Sequence, residues 1–188
     1  MKPRLYLFLA LGAASILVPC SHAQDPETYE LPPINYSQTK PHDVITRLQT
    51  RLGSGQLKLN GTDREVVQSL LRALHIPLTS QMLVFSKTSF QKDIIGPAHP
   101  RALYYTDNCY VGWVPSGLVE IAAIDPKLGP VFYSFDPRGL NEKNPAEFSR
   151  ENDCMRCHGG NFVRGIPAVF ARSLYADKDG KPILREGS

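Results

Sequence analysis

The chain has 188 residues, with 21 Lys and Arg against 18 Asp and Glu, a formal charge of +3, and 42% hydrophobic residues. That length holds one domain with a real core. No Lys/Arg cluster stands out, which argues against nucleic acid or an acidic lipid surface as partner.

The N-terminus reads as a targeting segment. Lys2 and Arg4 form a charged start, Leu5 to Val18 an apolar run, and Ser21-His22-Ala23 a small-residue cleavage site. This is the layout of a secretory signal peptide over residues 1–23. The apolar run has 14 residues, whereas a membrane span needs about 20, so no strong membrane signal exists beyond the signal peptide. A lipoprotein acylated at Cys20 ranks second, because Pro19 stands where a small residue is expected. Removing 23 residues from 188 leaves 165, and losing Lys2 and Arg4 lowers the formal charge from +3 to +1. The expected location is periplasmic or otherwise exported. The remaining cysteines are Cys109, Cys154 and Cys157, too few and too uneven for a disulfide framework.

Residues 24–41 are rich in Pro and polar residues without a period, and predict an extended or disordered lead to a single domain over 42–188. Val44, Ile45, Leu48 and Leu52 share one helical face, with Pro41 near the start and Gly53 as the stop. Thr62 and Glu65 have the spacing of a capping box, followed by Val66, Val67, Leu70, Leu71 and Leu74 until Pro77. His42 and His75 fall near the ends of these helices, where capping or surface roles are commonest. Beyond Pro77 the period changes. LTSQMLVFSKTS, ALYYTDNCYVGWV, GLVEIAAID and GPVFYSFD are β-rich runs separated by turn residues, and short connections imply antiparallel neighbours. Cys109, inside this region, reads as a small buried residue. AVFARSLYAD and KPIL flank the turn Asp177-Lys178-Asp179-Gly180 as two further strand candidates. The expected fold is α+β: two N-terminal helices followed by an antiparallel β-meander, with the cysteine motif in a short helix or loop after the strands.

The motif is DCMRCHGG, residues 153–160. Cys154 and Cys157 stand three positions apart and His158 follows at once. Two thiols at this spacing can add to the two vinyl groups on one edge of a porphyrin, and the adjacent imidazole then serves as proximal iron ligand. Composition alone produces C-x-x-C-H only about 0.002 times in such a chain, so chance is a poor explanation. A structural zinc site wants four ligands, commonly as two pairs, but only one pair is present here. A dithiol redox motif wants a βαβ setting, and the flanks read as antiparallel strands. One covalently bound haem c is therefore the expected cofactor. Phe148, Phe162, Val163, Ile166 and Phe170 are candidates to cover the macrocycle, and Arg150, Arg156 and Arg164 to pair with a propionate. Gly159 and Gly160 permit positive φ where the chain leaves the iron. For the distal ligand His99 is favoured over Met82, His75 and His42, on the preference of iron for imidazole; a position with no protein ligand stays open.

The stretches LVFSKTSFQKDIIGPAHPRALYYTDNCYVGWV, EIAAIDPKLGPVFYSFDP and DCMRCHGG, with RGIPAVFARSLYADKDGKPI beyond, resemble a family of exported bacterial cytochrome c domain-containing proteins from about residue 75 onward. The resemblance implies covalent haem at Cys154, Cys157 and His158, and no substrate or reaction. Members of that family continue past Ser188, so a piece of a longer protein is one reading of this chain. Electron transfer with an unidentified redox partner protein is the expected function. A haem-based sensor or haem enzyme with an open iron is the alternative, and a zinc-binding structural protein comes last.

Overall fold

The computed structural model describes residues 27–160, 163–169 and 174–183. The expected signal peptide, Cys20, Phe162 and Phe170 lie outside them.

Local chemistry sets the helix starts. α1 (Val44–Gly53) begins at Asp43, whose carboxylate accepts from Ile45 N and Thr46 N at 2.9 Å each, satisfying two of the first turn's free donors. α2 (Asp63–Ala73) begins at a capping box. Thr62 Oγ1 accepts from Glu65 N at 3.4 Å, and Glu65 Oε2 accepts from Thr62 N at 2.7 Å.

Six strands make one sheet: β1 (Met82–Val84), β2 (Arg101–Thr106), β3 (Cys109–Trp113), β4 (Val119–Asp125), β5 (Gly129–Phe135) and β6 (Ser149–Arg150). Each is antiparallel to the next, in chain order. At the β4–β5 turn the Asp125 carboxylate accepts from Lys127 N and Leu128 N at 2.8 and 2.9 Å. Gly129 closes that turn at φ +73°, a conformation that suits glycine.

Side chains alternate across such a sheet. Val111, Val119, Ile121, Val131 and Tyr133 point to the face that shares one core with Ile45, Leu48, Val66 and Leu70. Tyr133 donates its hydroxyl to Asp43 Oδ2 at 2.6 Å, tying β5 to the cap of α1. The second face carries Leu103, Tyr105, Tyr110, Gly112, Glu120, Ala122, Phe132 and Ser134, as the strand register requires. α3 (Met155–His158) follows β6.

The expected description, α+β with two N-terminal helices followed by a β-meander, is corrected in its proportions and order. The fold is mostly β, a six-stranded antiparallel sheet, and the helices number three, are short, and include one after the strands. α3 has four residues, too few for a 3.6-residue period to register in sequence. The run from Leu78 to Ser89 contributes only three strand residues. The two strands expected around Gly180 reduce, among the described residues, to the isolated bridge Ala176↔Pro182. The lead is not extended either: residues from Glu27 onward form successive tight turns that bury Tyr29 and Tyr36. Among the described residues no helix is long and apolar enough to cross a membrane.

Candidate cofactor site

β6 delivers the motif. It pairs with β5 through Tyr133↔Arg150 and Ser134↔Ser149, and Glu151 N then donates to Phe132 O at 2.9 Å. A 3-10 turn, Asn152–Cys154, runs straight into α3. Continuous helical geometry puts Cys154 and Cys157, at i and i+3, on neighbouring positions of one helical surface. Met155 is the anchor, buried against Tyr29 and Gly159, while Cys154 is half-buried and Cys157 exposed.

Both glycines of the motif are sterically required. A Cβ at Gly159 would stand 2.5 Å from Met155 Cε and 2.6 Å from Tyr29 Cε1, and one at Gly160 2.8 Å from the Arg156 carbonyl oxygen. Neither adopts positive φ. The expectation of a left-handed exit is thus replaced by close packing.

His158 is held at two points by one residue. Ala168 N donates to His158 O at 2.9 Å, and His158 Nδ1 lies 3.0 Å from Ala168 O. A carbonyl oxygen only accepts, so Nδ1 carries the hydrogen and Nε2 is the ring's lone-pair atom. The ring lies 4.5 Å from that of Phe132, centroid to centroid, at 41°. Burial lowers the imidazole's pKa, the Ala168 hydrogen bond opposes this, and the Arg101 charge adds to the lowering. The outcome is a neutral, oriented imidazole, the form that ligates a metal. Burial pushes the Cys154 thiol up to about 11, with Glu151, Glu120, Asp153 and Cys157 adding to the rise. A thiol held protonated is poorly suited to zinc or to disulfide exchange, both of which use the thiolate. Among the described residues no group of three or more His, Cys, Asp or Glu converges as a metal site. The donor set therefore fits haem, through two thiols on one short helix and one neutral imidazole, better than a closed zinc site.

The sheet's second face lies beside this helix. Arg101 lays its side chain across Gly112, where a Cβ would stand 3.4 Å from Arg101 Cδ. Its Nη1 reaches Glu120 Oε2 at 2.7 Å. One strand further, Ser134 Oγ donates to Glu151 Oε1. Arg101 Nε and Glu120 Oε1 are both buried without a hydrogen-bond partner. Tyr105 and Tyr110 stack on the same face, 6.1 Å apart at 16°.

The other expected residues go elsewhere. His99 is exposed and lines a cleft of about 190 Å³ with Ala102, Tyr104 and Trp113, whose side chains belong to the helix-covered face. Phe132, and His158 with it, lies on the opposite face, so the fold does not bring His99 to His158. Met82 sits on β1, four strands from β5, roughly 19 Å away at the usual strand spacing. His42 donates its backbone N–H to Asp125 near α1, and His75 takes φ +57° after α2. Arg150 is committed to the backbone: Nη1 donates to Thr39 O at 3.0 Å, Nη2 to Tyr36 O at 2.7 Å, and the guanidinium covers the Tyr36 ring at 4.7 Å. Arg156 and Arg164 are exposed. Phe148 packs on Phe135, 4.8 Å between centroids, in the core, while Val163 is half-buried and Ile166 exposed. Sequence reading missed Arg101, Glu120 and Phe132. They reach the motif only through strand register, and no local signal marks them. No family model, no curated protein and no solved structure matches this chain.

Proposed function

We propose that this chain is a c-type cytochrome domain of an exported protein, binding one haem through thioether bonds to Cys154 and Cys157 with His158 as proximal ligand, and that it transfers electrons to an unidentified redox partner protein. The observation that carries the reading is the Ala168 clamp on His158, which fixes Nδ1–H against a carbonyl and leaves Nε2 as the lone-pair atom. This is the outer hydrogen bond that orients a metal-ligating imidazole and raises its basicity. The protonated state favoured for Cys154 supports thioether attachment over thiolate chemistry. The haem supplies a one-electron iron couple whose potential depends on axial ligation, burial and hydrogen bonding. The chain supplies the attachment points, the oriented ligand, and the sheet face beside it.

A second reading, an iron with one open face used for sensing or catalysis, is favoured by a specific observation. His99, Met82, His42 and His75, the described side chains expected to compete for the sixth position, all sit on other parts of the fold. Carbon monoxide sorts the two. An unchanged spectrum of the reduced native protein under carbon monoxide supports a closed electron carrier; a ready shift moves the open-iron reading ahead.

A further inference from the structure

The pair Arg101–Glu120 crosses the sheet one diagonal step from Phe132, the ring that carries His158. Glu120 pairs with Ser134 and Ala122 with Phe132, on the same face, a diagonal separation of roughly 7–8 Å. Both ends of the motif feel this pair: Arg101 acts on His158 and Glu120 on Cys154. The two side chains are mostly buried, at 19% and 17% exposure. Their direct bond uses only Nη1 and Oε2. That leaves one donor, Arg101 Nε–H, and one acceptor, Glu120 Oε1, both buried and both unpartnered. Buried polar groups are bonded in the great majority of cases, and leaving one open costs about 1–3 kcal/mol. Two open valences of opposite type, in one ion pair, beside the candidate haem ligand, mark a place where a ligand group completes the bonding.

The chemistry of that group follows from what is open. A carboxyl group faces both atoms at once: one oxygen accepts from Arg101 Nε–H, and the other shares its proton with Glu120 Oε1. Arginine pairs with carboxyl groups in this planar way. Gly112 is what lets the guanidinium lie there, because a Cβ at that position would crowd Arg101 Cδ, Nε and Cζ at 3.4, 3.6 and 3.7 Å.

We propose that Arg101 anchors a propionate carboxyl of the haem, with Glu120 as the positioning residue that holds its guanidinium in place. This rests on the haem reading above. It replaces the three arginines flanking the motif in sequence, of which Arg150 is spent on backbone carbonyls and Arg156 and Arg164 face solvent.

The test uses the full chain matured with haem, as wild type, Arg101→Gln, Arg101→Lys and Arg156→Gln. Denaturation followed by reduction in alkaline pyridine first measures covalent haem in each. Resonance Raman of the native ferric protein then reads the propionate-bending band, which responds to hydrogen bonding at that group. Arg101→Gln is expected to keep its covalent haem and shift the band, with a lowered reduction potential because a nearby positive charge is gone. Arg156→Gln should leave the band in place. Should Arg101→Gln fail to fold, Arg101→Lys decides; it retains the charge but loses the Nε–H, and is expected to shift the band with the potential close to wild type. A band unmoved in the folded Arg101 variant overturns the anchor while leaving haem attachment intact. Absence of haem from the wild type overturns the haem reading itself, and the anchor with it.

Discussion

At the residue scale, the motif divides its work among neighbours that differ in exposure. Met155 is buried and fixes the helix, Cys157 is open to solvent, and His158 is turned onto Phe132 and clamped by Ala168. Replacing both Cys154 and Cys157 with Ala should abolish covalent haem without unfolding the sheet. Haem that stays with the denatured double variant would contradict the attachment sites. His158→Met should retain covalent haem but change the ligand field; an unaltered visible spectrum would count against the proximal role. The glycines give a test of packing that needs no cofactor. Gly159→Ala forces a methyl group against Met155 and Tyr29 and should cost roughly 1–3 kcal/mol, read as a lower denaturation midpoint. Gly53→Ala, where a Cβ meets nothing within 4 Å, should be neutral or slightly stabilising. Equal midpoints for the two variants would contradict the packing requirement at Gly159.

At the element scale, Asp43 joins more of the fold than any other carboxylate described above. It caps α1 through Ile45 N and Thr46 N and accepts the Tyr133 hydroxyl from β5. Asp43→Ala removes a cap worth about 1 kcal/mol and strands a buried hydroxyl at about 1–3 kcal/mol. A combined loss of about 3 kcal/mol is expected in urea denaturation. A loss below about 0.5 kcal/mol, the level of an ordinary surface change, would show that water replaces both roles. Elements differ in how far the sequence discloses them. The capping box of Thr62 and Glu65 is legible because both partners lie within one turn. β4 is legible because its side chains alternate along seven residues. β6 has two residues and no period, and the segment around Gly180 has strong turn chemistry but closes only one bridge among the described residues. The Arg101–Glu120 pair is illegible for another reason: it joins strands 19 residues apart in sequence and exists only once register is set.

At the scale of the whole molecule, several buried acidic groups are held protonated by the same core. Burial pushes the Cys109 thiol up to about 12 from 9.0, with the Asp43 charge adding, and Tyr36 up to about 12 from 10.0. A group whose pKa is raised by folding adds stability in full below its unfolded value and loses it as pH climbs through the folded one. The free energy of unfolding should therefore hold to about pH 9 and fall toward pH 12. Cys109→Ala should delay the start of that fall toward pH 10, where Tyr36 begins to contribute; identical profiles would contradict the role given to Cys109. The motif is readable from sequence alone because attachment thiols and ligand are contiguous. The sheet face beside it is not, since Phe132, Arg101 and Glu120 arrive from three strands. The most direct measurement is the absorption spectrum of the chain expressed with haem-maturation machinery, denatured, and reduced in alkaline pyridine. A c-type haemochrome at one haem per chain is the predicted result; denatured protein without haem would contradict it and return Cys154 and Cys157 to zinc or redox chemistry.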